Sequence, residues 1–415
     1  MAMNWIQRIG ILAILALLSA PATFGETTEP NPAIQAVAES ANTFALNLYG
    51  QLSSREGNLF FSPYSIDDAL MMVRAGAGGA TADQISATLK LPDLKNGDLN
   101  AAMAELSGRF DSNVADKGYE LHVANAMWGQ AGASFVPAYL DELQKDFAAE
   151  LNGINFHNPQ AAATTINEWV AKKTNDRIKD LISPGALNDR TKLLLTNAIY
   201  FKGDWREPFK TQATHDAPWN DGTLHDANST AGSQDKVPMM FQAGDFDYMK
   251  EEGLSALQMP YRGDELAMLI LLPDDPAGLG ELEKTLDAAR LKEIVGKMGH
   301  EHRVEVWFPK FKLETAYELS HTLAEMGMPT AFSNEADLSG IDGKRDLSIT
   351  GVVHKAFVQL DETGTEAAAA TGVMVGAMAM RQRTVFNADH PFVFVIRDVK
   401  TGTILFIGRV IHPAT

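Results

Sequence analysis

The pattern of apolar and polar residues changes along the chain, from helical spacing in its first part to strand patterns later. Residues 33–52 carry apolar side chains at helical spacing. The same spacing recurs over 66–73, where Ser65 is the predicted N-cap, and over 160–182. These three segments are predicted to be amphipathic helices.

Strand patterns dominate after residue 190. The predicted strands lie within residues 192–205, 257–275, 302–314 and 391–413. Segments 257–275 and 391–413 read as hairpins that turn at 262–264 and 400–402, and Pro309 predicts a bulge or an edge. Helices first and strands later indicate an α+β chain. The absence of a linker favours one large domain, although the length alone would predict two or three.

Composition and charge exclude several classes of function. The 415 residues are 45% apolar and 21% charged, with a net charge of −18. This negative charge argues against binding to nucleic acid or to an anionic membrane. The sequence has no cluster of basic residues, so we expect no polyanion cofactor. There are no cysteines, so disulfides, thiol nucleophiles and thiolate metal sites are excluded. A long chain can be stabilised by its core alone.

The amino terminus has the pattern of a secretory signal peptide. Arg8 precedes an apolar run over 9–19, and small residues follow it. We predict a signal peptide over residues 1–25, with Ala20 and Ala22 as alternative cleavage positions. A buried amino-terminal helix is the competing interpretation. Secretion to the medium and retention in a periplasm both remain open.

Motifs for catalysis are missing from the sequence. It has no phosphate-binding loop, no G-x-S-x-G turn and no H-E-x-x-H pair, so we predict neither an enzyme nor a cofactor. His300 and His302 share a face on strand spacing, but no third metal ligand can be named, and a solvated loop is favoured. His354 lies in an apolar strand and is predicted to be a hydrogen-bonded core residue.

Residues 361–380, "DETGTEAAAATGVMVGAMAM", contain two acidic side chains at the start, a third at Glu366 and then only small or apolar residues. A disordered loop and a helix are the simpler interpretations. Neither explains the order of the residues. In a strand, alternate side chains from Thr365 to Val373 would be small enough to enter a packed interior. Gly364 can act as a hinge because its backbone is permissive. The segment therefore suits two states, an exposed loop and an inserted strand.

Several motifs together resemble the serpin family. They are "NLFFSPYSI" at 58–66, "LTNAIYFKGDW" at 195–205, "VHKAFVQLDETGTEA" at 353–367, "ADHPFVFVIRD" at 388–398 and "ILFIGRVIHP" at 404–413. The resemblance implies the serpin fold, an α+β domain over residues 26–415. It also implies a large central sheet, two further sheets, about nine helices and an exposed reactive loop at about 362–385.

The resemblance further implies an inhibitor that acts once and works as a monomer. A serine protease attacks the loop and becomes an acyl-enzyme, the hinge inserts into the central sheet, and the protease is distorted. The hinge residues match Glu362, Gly364, Thr365, Glu366, Ala367, Ala368, Ala369, Ala370 and Thr371. Ser62, Ser65, Asn197 and His354 match the polar group called the shutter, beneath the central sheet. Trp205 matches the breach, where insertion begins, and the helix around 166–172 matches the one that lies across the sheet.

Two family spacings agree on the bond that is cut. Met378 lies sixteen residues after Glu362 and eight residues before Phe386. The expected reactive bond is Met378–Ala379, within a small and apolar bait that suits elastase-like, chymotrypsin-like or subtilisin-like proteases. Cleavage after Arg381, which would imply a trypsin-like target, is the alternative.

A non-inhibitory serpin, such as a carrier, storage or chaperone protein, is the other alternative within the family. The small residues of the hinge favour the inhibitor. Gly372 and Gly376 are a departure from many bait loops. Because glycine loses entropy in a strand, they predict slower insertion and a stoichiometry of inhibition above one.

Overall fold

The computed structural model describes residues 31–110, 118–147, 149–222, 236–364 and 383–413. Within these ranges it contains ten α-helices, where about nine were expected. They are α1 (Pro32–Leu52), α2 (Pro63–Ala75), α3 (Gly79–Thr88), α4 (Asn96–Arg109), α5 (Pro137–Phe147), α6 (Pro159–Lys173), α7 (Leu279–Thr285), α8 (Ala288–Lys297), α9 (Ser320–Glu325) and α10 (Ser339–Asp342). The three helices predicted from apolar spacing are confirmed as α1, α2 and α6. None of the helices in the described ranges is both long and apolar enough to cross a membrane.

The N-cap of α2 differs from the prediction. The helix begins at Pro63, and the Ser62 hydroxyl accepts a hydrogen bond from the Ser65 backbone N–H at 3.2 Å. Ser62 is therefore the cap, and Ser65 lies within the first turn. Proline is tolerated at the first helical position because its missing N–H would have no partner in the helix.

The strands form a five-stranded and a nine-stranded sheet. They are β1 (Leu59–Phe61), β2 (Tyr119–Gln130), β3 (Glu150–Ile154), β4 (Leu193–Gly203), β5 (His215–Pro218), β6 (Lys236–Glu251), β7 (Leu254–Pro260), β8 (Leu266–Pro273), β9 (Gly299–Pro309), β10 (Phe311–Glu318), β11 (Ile349–Leu360), β12 (Val385–Asn387), β13 (Phe392–Asp398) and β14 (Ile404–Val410). The five-stranded sheet has the order β10-β11-β4-β2-β3. The nine-stranded sheet runs β1-β14-β13-β8-β7-β6-β9-β12, with β5 paired to β6. The α+β class is confirmed.

Both predicted hairpins are present, as β7–β8 and β13–β14. Gly263 and Asp264 in the first turn have φ values of +93° and +58°, and Gly402 in the second has +77°. These angles lie in the left-handed region, which glycine and aspartate tolerate better than most residues.

The two further sheets expected beside the central one are joined by hydrogen bonds into a single sheet. The long strand β6 joins them, because its first part pairs with β5 and β9 and its last part pairs with β7. A register shift between Gly244 and Phe246 lies within the β6–β9 pairing, just before Asp247, where the pairing of β6 with β7 begins.

Pro309 marks the corner between the two sheets. Strand β9 ends at Pro309 in the nine-stranded sheet, and β10 begins at Phe311 in the five-stranded sheet. Proline cannot donate a hydrogen bond to a ladder, so it suits the end of one strand better than the middle of a longer one. Lys310, between the two strands, becomes important below.

Helix α6 covers one face of the five-stranded sheet. Its buried residues Ala163, Ile166 and Val170 belong to the same apolar cluster as Ala198 on β4 and Phe357 on β11. The opposite face contributes Leu195 and Val358, among others, to the large core of the protein. The sheet is therefore buried on both sides, as the continuous apolar run of β4 predicted.

Candidate functional site

Strands β4 and β11 lie side by side in the five-stranded sheet and run parallel to each other. Their register pairs Leu193 with Ile349 at one end and Tyr200 with Phe357 at the other. The chain leaves β11 at Leu360, and the next strand among the described residues is β12, in the nine-stranded sheet. The connection therefore begins at the end of the parallel pair and returns in the other sheet.

Part of the predicted site lies outside the described residues. This part includes the hinge positions from Thr365 to Thr371, the predicted bond Met378–Ala379 and the alternative Arg381. The shutter residues, Trp205, Glu362 and Gly364 are all described, and they fall into two groups.

The four predicted shutter residues come together beneath the middle of the β4–β11 pair. The register places His354 opposite Asn197, and the His354 Nδ1 and Asn197 Oδ1 atoms are in hydrogen-bond contact. The Asn197 amide nitrogen donates to the Ser65 carbonyl at 2.6 Å. The Ser62 hydroxyl donates to the Leu405 carbonyl on β14 at 2.7 Å. Polar side chains thus connect the two strands to each other and to the start of α2.

The hydrogen bonds assign the tautomer of His354. Its Nε2 accepts from the Ser62 backbone N–H at 3.1 Å, so the ring proton belongs on Nδ1, where it is donated to Asn197. The ring is completely buried, and this burial lowers the pKa of His354 to about 3. A proton on Nε2 would also place an N–H donor against the Ser62 backbone N–H, where neither could accept a hydrogen bond. His354 is therefore a neutral, hydrogen-bonded core residue, as the sequence predicted.

This buried histidine predicts a pH dependence of stability. Unfolding restores an ordinary pKa near 6.5, so the unfolded chain binds the proton first as the pH falls. The contribution of the neutral histidine to the free energy of unfolding is complete above pH 6.5 and is lost progressively towards pH 3. About 2 kcal/mol of it is lost between pH 6.5 and 5. We expect His354→Gln to be less stable than the wild type at pH 7.5, with a gap that narrows by that amount at pH 5. Urea unfolding at the two pH values measures the gap, and a gap that does not change would contradict the assigned state of His354.

Trp205 lies where β4 ends and the hinge begins. Its ring is buried and stacks on Tyr261 with 4.7 Å between the ring centroids. The indole N–H donates to the Asp361 carbonyl at 3.2 Å, and the Trp205 backbone N–H donates to the Thr363 carbonyl at 2.8 Å. The first residues after β11 are therefore held against the end of β4, and the start of insertion at Trp205 stays a prediction.

Glu362 is fixed at the same place by an ion pair. Its carboxylate accepts from the Lys310 ammonium at 2.8 Å and from the Thr214 hydroxyl at 2.8 Å, and its carbonyl accepts from the Phe209 N–H at 2.7 Å. Burial raises the pKa of this carboxyl, but the hydrogen bonds from Lys310 and Thr214 outweigh it, so the pKa lies below the ordinary value. Glu362 is therefore charged at neutral pH and ties the base of the hinge to the β9–β10 corner.

Gly364 is required by a close approach of two backbones. Its φ is +142°, and a Cβ at this position would overlap the carbonyl oxygen of Gly203 on β4. Reciprocal hydrogen bonds between Asp361 and Gly364 close the turn. A side chain at 364 would push the hinge off the sheet, which explains glycine here better than flexibility alone.

Three residues that sequence reasoning missed complete the two groups. Asn125 on β2 lies opposite Asn197, and its amide donates to the Asp68 carboxylate at 2.7 Å. Tyr317 on β10 lies opposite His354, and its hydroxyl accepts from the Phe60 N–H at 3.3 Å. Lys310, between β9 and β10, is the third, and its ammonium pairs with the Glu362 carboxylate. A polar residue inside the apolar run from Val123 to Trp128 was the signal available for Asn125, whereas nothing local marked Lys310.

Comparison with protein families identifies the fold. Residues 39–413 match the family model described as "Serpin (serine protease inhibitor)". The chain is 41% identical to the leukocyte elastase inhibitor of Sus scrofa, over 90% of this chain and 99% of that protein. It is 40% identical to an uncharacterized serpin-like protein of Thermococcus kodakarensis, over 91% of this chain and 86% of that protein.

A solved structure matches over almost the same length. The structure of human thyroxine-binding globulin complexed with thyroxine superposes with a TM-score of 0.82 at 27% identity, covering 92% of this chain and 100% of that one. The arrangement of helices and sheets therefore agrees closely with that of this solved structure, although only 27% of the aligned residues are identical.

Proposed function

This chain belongs to the serpin family, and we propose that it is a secreted inhibitor of serine proteases that works by a suicide mechanism. A protease cuts the segment after β11, the hinge inserts into the five-stranded sheet, and the protease remains linked as an acyl-enzyme. The protein is consumed by the reaction and does not act as a catalyst. The name of the Sus scrofa relative supports protease inhibition as the activity.

The observation that carries the proposal is the parallel pairing of β4 and β11 directly before the hinge. A segment that leaves the end of β11 and folds back between the two strands would run antiparallel to both. One parallel pair would be replaced by two antiparallel pairs, which are slightly more stable per residue. The uncut chain has room in its topology for this extra strand.

Insertion is favourable only if the free energy gained from the new strand exceeds the free energy lost with the contacts that it breaks. Each added ladder hydrogen bond contributes about 1 kcal/mol net, so ten inserted residues would gain about 10 kcal/mol before apolar burial is counted. Against this stand the hydrogen bonds of the parallel pair and the contact between His354 and Asn197. Helix α6, whose buried residues share an apolar cluster with residues of both strands, must also move. These groups would control when the sheet opens.

The bait defines the class of protease. Around Met378 the chain carries small or medium apolar residues, which fit the apolar pocket of an elastase-like, chymotrypsin-like or subtilisin-like enzyme. We expect no polyanion cofactor, since the sequence has no cluster of lysine and arginine residues that would bind one.

The variants Met378→Asp and Arg381→Asp test this assignment as a matched pair. A carboxylate that enters an apolar pocket without a partner loses several kcal/mol, so Met378→Asp should slow the inhibition of an elastase-like protease by about 100-fold or more. Arg381→Asp places the same carboxylate three residues away, with a larger change in charge because the arginine is lost, and should still change this rate only a few-fold. The inhibition rate constant is the measurement. If Arg381→Asp has the larger effect and the wild type prefers trypsin, cleavage follows Arg381 and the Met378 assignment fails.

A non-inhibitory carrier is the second candidate, and one comparison favours it. The human neighbour is a thyroxine-binding globulin complexed with thyroxine, so a similar fold can hold a small ligand. The hinge sequence favours the inhibitor, because Thr365 and the four alanines after Glu366 contain no bulky side chain and no proline. Cleavage of the loop without any trapped protease would select the carrier.

Export of the protein is proposed from the amino-terminal sequence alone. The charged residue, apolar run and small residues before Glu26 have the order of a signal peptide. The exported chain should begin at Glu26, which amino-terminal sequencing of protein from the medium or the periplasm would detect. Recovery of the protein only from the cytoplasm, with Met1 in place, would contradict export.

A further inference from the structure

Two histidines and an aspartate converge on the exposed surface where β6 pairs with β9. His300 and His302 lie on β9, within a strand and not in the solvated loop predicted from sequence. Strand alternation puts both rings on one face, where their centroids are 5.0 Å apart. Asp245 on β6 supplies the third group, and one ligand atom from each of the three side chains lies within 4.8 Å of the other two.

The backbone brings Asp245 into this position. The register of β6 and β9 shifts between Gly244 and Phe246, beside Asp245, and Arg303 opposite has a left-handed φ of +62°. The Arg303 N–H donates to one Asp245 oxygen at 3.1 Å, while the other oxygen lies 3.1 Å from His302 Nδ1. One oxygen is thus held by the backbone, and the other faces the histidines. Such outer hydrogen bonds orient the ligands of metal sites.

A candidate fourth ligand, a second carboxylate, lies next to this group. Asp247 is the direct cross-strand partner of His300, and its Oδ1 lies 3.5 Å from His300 Nδ1. The other Asp247 oxygen accepts from the Gln258 amide at 3.1 Å, so this carboxylate is oriented as well. The third ligand that the sequence could not supply is therefore provided by the neighbouring strand, together with a candidate for the fourth.

We propose that Asp245, His300 and His302 form a binding site for a divalent transition metal, with Zn²⁺ as the best match and water or Asp247 in the fourth position. Imidazole and carboxylate together suit Zn²⁺, Cu²⁺ and Ni²⁺, whereas Mg²⁺ and Ca²⁺ prefer oxygen ligands alone. Tetrahedral Zn²⁺ with bonds of about 2.1 Å separates its ligand atoms by about 3.4 Å. Small rotations of exposed side chains reach this spacing. The ion would join β6 to β9 in the folded protein only.

Calorimetric titration of the full mature protein with ZnCl₂ tests the proposal, using His302→Ala and Asp245→Asn as site variants. His321→Ala is the matched control, because His321 is an exposed histidine that pairs with a single carboxylate, Glu325, at 3.3 Å. We expect one equivalent of Zn²⁺ to bind with micromolar affinity. Each site variant should weaken binding by at least about tenfold, and the control should bind as the wild type does. MgCl₂ should give no binding at the same concentration.

A second measurement keeps the test independent of any change in folding. In the nuclear magnetic resonance spectrum of the wild type, Zn²⁺ should shift the ring signals of His300 and His302 and leave those of His321 and His354 in place. Absence of Zn²⁺ uptake at 100-fold excess would overturn the proposal. So would binding that survives both site variants, or binding that His321→Ala weakens to the same extent.

Discussion

Thr365→Arg is expected to convert the protein from an inhibitor into a substrate. The first inserted residues set the speed at which the hinge enters the sheet, and a long charged side chain at 365 would have to cross into a packed interior. An unpaired buried charge costs several kcal/mol, and a barrier higher by about 3 kcal/mol slows insertion by about 100-fold. Deacylation would then precede insertion, and the protease would leave intact. The ratio of trapped complex to cleaved protein measures this partition, and an equal ratio for variant and wild type would refute hinge insertion as the inhibitory step.

Glu366→Arg is the matched control for this variant. On strand alternation residue 366 faces the opposite side from 365, and a long charged side chain already stands there. The same arginine at 366 should leave most of the trapping in place. Equal loss in both variants would point to a general effect of positive charge near the hinge and not to burial.

Cleavage within the loop is expected to raise the melting temperature by more than about 10 °C. A cut frees the hinge to insert between β4 and β11, and about ten added ladder hydrogen bonds contribute about 10 kcal/mol. For a chain of this length 1 kcal/mol corresponds to roughly 1 °C. Scanning calorimetry of the intact and the nicked protein, cut by a protease that is not trapped, compares the two states.

The nicked Thr365→Arg variant provides the internal control for this experiment. If insertion causes the rise, this nicked variant should show a clearly smaller rise than the nicked wild type, because the buried arginine subtracts several kcal/mol from the free energy that insertion gains. Equal melting temperatures for intact and nicked wild type would mean that no strand is added, and the carrier alternative would then be preferred.

The main features of the fold could be predicted from the sequence because they depend on local patterns. Apolar periodicity predicted α1, α2 and α6, and alternation with turn residues predicted the hairpins β7–β8 and β13–β14. The predicted N-cap of α2 was wrong by three residues, because the helix begins at Pro63, before the first residue of the apolar pattern. The nine-stranded sheet is continuous because β6 is long enough to pair with β5, β9 and β7. The apolar pattern of β6 did not predict which strands it pairs with.

The site was predictable only where its residues lie in recognisable motifs. Asn197 and His354 occur in such motifs, and the structure brings them into contact across two parallel strands. The pair formed by Lys310 and Glu362 joins residues 52 positions apart, and the hydrogen bond between Asn125 and Asp68 joins residues 57 apart. No local signal encodes which partner a charged or polar residue meets at such distances. For the same reason the sequence did not predict that Asp245 lies beside His300 and His302.

One measurement tests the proposed mechanism most directly. The mature protein is mixed with an elastase-like serine protease, boiled in detergent and separated by electrophoresis, and the released peptide is sequenced. We predict a covalent complex that survives boiling, because the Met378 carbonyl is esterified to the catalytic serine after Ala379 leaves as the new amino terminus. The peptide should run from Ala379 to Thr415. A peptide that begins at Gln382 would move the cut to Arg381, and a cut that yields no covalent complex with any serine protease would contradict the inhibitory mechanism.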